Sequence, residues 1–75
     1  MACVNPDGRP TESGTKMLLA MKNQARTPEE AATDTGLPVF RVRSGLRELE
    51  AAGLALSTPE GYRATDKGAA LISTS

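Results

Sequence analysis

The chain is predicted to fold as an α+β domain: three helices, then a two-stranded antiparallel hairpin, then a short terminal helical turn. Three observations predict it. Residues 27–53 read T-P-E-E-A-A-T-D-T-G-L-P-V-F-R-V-R-S-G-L-R-E-L-E-A-A-G, two helices fused at a Gly-Leu-Pro corner. Before them, apolar residues recur at helical spacing, and after Gly53 the period changes from helical to alternating.

Residues 1–11 contain Asn5, Pro6, Asp7, Gly8 and Pro10, which favour turns and leave little apolar surface to bury. They are expected to form a flexible arm, with Cys3 an inert residue in it. The folded domain is expected over 12–72, with 73–75 as a tail. The first helix should begin near Thr11 or Ser13 and run to Ala25. Gly14, Met17, Leu18, Met21 and Ala25 fall on one face, with Lys16, Ala20 and Asn23 opposite. Met17 and Met21 are read as core filler.

The second helix opens with an N-terminal signature in which Thr27 caps, Pro28 takes the first helical position and Glu30 completes a capping box. Gly36 stops it within about two turns. Pro38 starts a longer helix that ends at Gly53, with Val39, Val42, Leu46 and Leu49 as its buried stripe. At about 100° per residue the outer face is centred on Phe40, Ser44, Arg47 and Ala51, flanked by Arg41 and Arg43. Gly45 within this helix should cost about 1 kcal/mol relative to Ala. Close approach of the preceding helix is the expected reason. Two helices joined by a short turn containing Gly form the arrangement that sets a second helix in a DNA groove.

In the hairpin, Leu54 and Leu56 are expected on one face and Ala55 and Ser57 on the other. Thr58-Pro59-Glu60-Gly61 is a turn by composition, and Tyr62 and Ala64 alternate with Arg63 on the return strand. Residues 65–68 break that strand, and residues 69–72 are expected to form one turn of helix.

Charge and composition restrict the functions available. Nine Lys and Arg balance nine Asp and Glu, so no global field draws the chain to nucleic acid. The distribution is uneven: residues 38–47 carry Arg41, Arg43 and Arg47 and no acid, while Glu29, Glu30 and Asp34 lie on the preceding helix. With no His and one Cys there is no zinc-ligand set and no internal disulfide, so neither metal nor cofactor is expected. No apolar run approaches a membrane span and residues 1–10 lack the apolar stretch of a secretion signal, so a cytoplasmic location is expected. Without His, acid–base chemistry would fall to carboxylates or Lys. Glu29 and Glu30 are accounted for by capping and the helix dipole, so the chain is not expected to be an enzyme.

With L-R-E-L-E-A-A-G-L at 46–54 and G-Y-R-A-T-D-K-G at 61–68, the chain resembles the winged helix-turn-helix domains of prokaryotic transcriptional regulators over roughly residues 15–72. These residues look like the family's helix-end Leu-x-x-Leu-(x)3-Gly-Leu and its wing-exit Tyr-x-Leu-Thr-x-x-Gly. The resemblance implies that the helix over 38–52 lies in the major groove and that a short wing over 54–65 reaches the backbone or minor groove. It implies DNA-binding roles for Phe40, Arg41, Arg43, Ser44 and Arg47, and for Arg63 on the wing. Arginine suits phosphates through its planar fork and guanine through bidentate contact with O6 and N7. Thr27, at a helix N-terminus, is a candidate phosphate contact.

The expected function is that of a small DNA-binding transcriptional regulator. The alternative is a protein-interaction module in which Phe40 and Val39 anchor a protein partner with the arginines as polar rim, and a homodimer is the other protein assembly open to the chain. Phe40 itself is an anchor, a contact to a thymine methyl, or a residue folded back on the wing.

Overall fold

A computed structural model of the chain describes residues 3–73. Its elements run α1 (Glu12–Ala20), α2 (Pro28–Thr35), α3 (Val39–Ala51), β1 (Ala55–Thr58), β2 (Gly61–Ala64) and α4 (Asp66–Ser73). This is the expected α+β arrangement of three helices, an antiparallel hairpin and a short terminal helix, and its shape is compatible with a winged helix. Met1 and Ala2 of the expected arm, and residues 74 and 75 of the expected tail, lie outside the described residues.

The α2–α3 corner forms as its local chemistry dictates. Thr27 is extended and its hydroxyl oxygen accepts the Glu30 N–H at 3.2 Å, while the Glu30 carboxylate accepts the Thr27 N–H at 3.0 Å, closing the capping box. Gly36 ends α2 at φ 76°, and its N–H bonds the Ala32 carbonyl. Pro38 stands just outside α3 as its N-cap rather than as its first helical residue. The core forms where α1, α3 and the hairpin converge, and Met17, Leu18, Met21, Val42, Leu46, Leu49 and Leu54 are fully buried. The predicted stripe on α3 holds except that Val39, at the helix tip, is only half-buried.

Helix α1 stops five residues earlier than its periodicity suggests, at Ala20 instead of Ala25. The chain turns at Met21 so that Arg26 can lie beside the hairpin. Arg26 N–H bonds the Tyr62 carbonyl at 2.8 Å and Tyr62 N–H bonds the Arg26 carbonyl at 2.7 Å, an isolated bridge on the second edge of β2. Met21 keeps its place in the core from the cap position. Ala25 does not join that face.

The expected turn over Thr58–Gly61 forms, with Thr58 opposite Gly61 and Thr58 Oγ1 donating to the Gly61 carbonyl at 2.6 Å. Its facing differs from expectation. Ala55 is the residue turned inward, and Leu56 stands 43% exposed opposite Arg63. Leu54 is buried ahead of the strand, so the alternation restarts at Ala55 and the Leu54/Leu56 face does not form. Helix α4 is longer than one turn because Thr65 caps it, its Oγ1 accepting the Gly68 N–H at 3.1 Å.

Where composition predicts little to bury, residues 3–10 fold back on the domain. Cys3 is fully buried, its N–H donates to Glu48 Oε2 at 3.1 Å, and its carbonyl accepts the Thr11 N–H at 3.0 Å. Val4 bridges to Pro10, and the Asn5 N–H bonds the Arg9 carbonyl at 2.7 Å. Gly45 also has a different neighbour from the one expected. It faces Cys3 and Met17, not the alanines of α2.

Candidate nucleic-acid interface

Helix α3 has two unlike sides. Val42, Gly45, Leu46 and Leu49 are buried, which rotates Phe40, Ser44, Arg47 and Ala51 outward at intervals of four, three and four residues. Phe40 is 67% exposed, the highest value among the large apolar side chains of the described residues. It does not fold back on the hairpin. Arg41 and Arg43 are exposed beside this face, and Arg63 is exposed on β2. Among the described residues no carboxylate forms an ion pair with Arg47 or Arg63.

Arg43 is differently placed. Its Nη2 lies 2.6 Å from Glu29 Oε2, across the corner between α3 and α2. The Glu29 carboxyl is held below its ordinary value of 4.5, first by its own backbone N–H and then by the Arg43 guanidinium. Arg43 forms no ion pair with Glu48 along α3. Glu48 instead receives the Cys3 N–H. That carboxylate and, more strongly, burial push the Cys3 thiol above its ordinary value.

The acids of α2 are all engaged. Glu30 closes the capping box and lies 3.7 Å from Arg26, and Asp34 Oδ2 lies 3.0 Å from Arg26 Nε. The latter contact is an ion pair whose N–H is out of line for a hydrogen bond. Thr27, the candidate phosphate contact, is half-buried and its hydroxyl oxygen is already occupied by the Glu30 amide.

Sequence reasoning missed the Glu29–Arg43 pair and the Arg26–Tyr62 bridge. The first had a faint signal, an acidic helix directly preceding a basic one. Neither pair has a spacing that a local rule could read.

Among the described residues no group of three or more His, Cys, Asp or Glu is placed to hold a metal ion, and no helix is long and apolar enough to cross a membrane. The fold and surface together define a small α+β domain whose longest helix presents an exposed face carrying Phe40 and arginines. A scan against protein-family models, a search of curated proteins and a search of solved structures each returned no significant match to this chain.

Proposed function

We propose that this chain is a winged-helix DNA-binding protein acting in transcriptional regulation in the cytoplasm, with α3 as the helix that enters the major groove and the β1–β2 hairpin as the wing. The observation that carries the reading is the outward face of α3, where Phe40, Arg41, Ser44 and Arg47 are exposed on the second helix of a capped helix-turn-helix. Arg63 adds an exposed cation on the hairpin. The arginines bind phosphate or guanine, Ser44 bonds backbone or base, and Phe40 packs on a thymine methyl.

With about four or five phosphate contacts available, log affinity falls with log salt at a slope near −4. Titration of labelled duplex DNA at low salt tests this with the wild type and an Arg47→Ala/Arg63→Ala variant. Both residues are exposed, so the variant keeps its fold. Weaker binding and a shallower slope in the variant support the reading. Absent binding, or equal binding by both proteins, overturns it.

The exposure of Phe40, at 67%, also favours a second reading, in which the same face docks a protein partner through an apolar anchor with a polar rim. Capture of one protein from source-cell extract that survives nuclease and is lost in Phe40→Ala supports that reading. Recovery of DNA alone counts against it.

A further inference from the structure

We propose that Glu29 is a positioning residue for Arg43, holding its guanidinium over α2 and competing with DNA phosphate for it. The inference rests on the nucleic-acid reading above.

Glu29 sits in the first turn of α2 and Arg43 in the second turn of α3, fourteen residues apart, and their side chains meet at 2.6 Å across the turn between the two helices. The other acids of α2 face elsewhere: Glu30 and Asp34 take Arg26, and Glu30 also closes the capping box. Glu29 is thus the acid of α2 directed at the candidate reading helix. A carboxylate and a phosphate offer a guanidinium the same kind of oxygen pair, so the contact that holds Arg43 is also one that phosphate can replace.

Both partners are more than half exposed, at 55% and 63% of the side chain. Such a pair is weak and screened by salt, so it biases Arg43 without locking it. While it persists, the carboxylate neutralises Arg43, which adds little to the cationic field of α3. Binding to unselected DNA is therefore suppressed, because that binding depends on the number of neutralised phosphates.

The test uses the full chain and a labelled random-sequence duplex, titrated over a series of salt concentrations. Glu29→Gln keeps the size of the side chain and removes its charge. It is expected to raise affinity at low salt by about threefold to tenfold and to steepen the salt slope by about 1, one further phosphate contact. Arg43→Ala and the double variant complete the cycle. If Glu29 acts through Arg43, the gain in affinity and slope disappears when Glu29→Gln is made in the Arg43→Ala background. A gain that survives undiminished there shows that Glu29 acts by its own charge, and overturns the proposal. Unchanged affinity and slope in Glu29→Gln, with a wild type that binds, also overturns it while leaving the nucleic-acid reading intact. A wild type that binds no duplex removes both. Circular dichroism and thermal melting of each variant distinguish a lost fold from a lost contact.

Discussion

A Cβ on Gly45 would stand 2.5 Å from the Cys3 sulfur and 2.5 Å from Met17 Cε. No side-chain carbon tolerates such contacts, so α3 carries a glycine where the N-terminal segment and α1 both press against it. Gly14 on α1 does the same from the other side, since a Cβ there would collide with the Cys3 carbonyl oxygen. Two helices therefore each lack a side chain at the level of Cys3, and the residue between them is fully buried.

Replacing Gly45 with Ala sets two effects against each other. Helix propensity favours Ala by about 1 kcal/mol, and overpacking a tight core costs about 1–3 kcal/mol. Both atoms in the way end buried side chains, so overpacking is expected to win by about 1 kcal/mol. The urea midpoint of Gly45→Ala should fall with the slope unchanged, and Cys3→Ala/Gly45→Ala should be less destabilised than the sum of the two single changes. A Gly45→Ala variant more stable than wild type would show that Cys3 does not occupy this seat.

The glycines at the two turns should differ sharply in their tolerance of Ala. Gly36 has φ 76° and nothing within 4 Å of the position a Cβ would take, so Gly36→Ala bears only left-handed strain of about 1–2 kcal/mol. Gly61 has φ 132°, and a Cβ there would stand 2.5 Å from the Arg26 carbonyl oxygen. Strain and collision together put Gly61→Ala at about 3 kcal/mol or more. Denaturation of both variants, with hydrogen exchange at the Tyr62 amide, checks the ordering. Equal losses would mean that the Arg26–Tyr62 bridge is not the constraint on Gly61.

The Glu29 carboxyl should titrate below its ordinary value, and in two separable parts. Its own backbone N–H is the larger cause and Arg43 the next, so Arg43→Ala should raise the midpoint without restoring it fully. Because the folded value lies below the unfolded one, the associated stability is present above the unfolded value, near 4.5, and is lost as pH falls through the folded midpoint. Carbon-detected NMR titration of the Glu29 carboxyl in wild type and Arg43→Ala measures both parts. A midpoint indifferent to Arg43 would show that the two side chains do not meet in solution.

Local hydrogen bonding made some of this structure readable in advance. The Thr27–Glu30 box, the Gly36 stop and the outward placement of Phe40, Ser44 and Arg47 each depend on residues within one or two helical turns, so spacing alone predicted them. The same logic failed at α1. Its apolar period continues to Ala25, but pairing Arg26 with Tyr62, thirty-six residues on, requires the chain to leave the helix at Met21. It failed again at β1, where Leu54 closes the core and so makes Ala55, not Leu56, the inward residue.

The candidate surface divides along the same line. Its residue types and their face on α3 follow from a period of 3.6, a property of the chain by itself. Which arginine is held by a carboxylate does not, for Glu29 and Arg43 meet only because the Gly36-Leu37-Pro38 corner brings α2 against α3. The sequence by itself determined the order of the elements, their caps and the two sides of α3, because those depend on neighbours a few bonds or one turn away. The tertiary structure alone decided where α1 ends, what Gly45 makes room for and which charge on α3 is matched, because each joins segments whose separation along the chain carries no period to read.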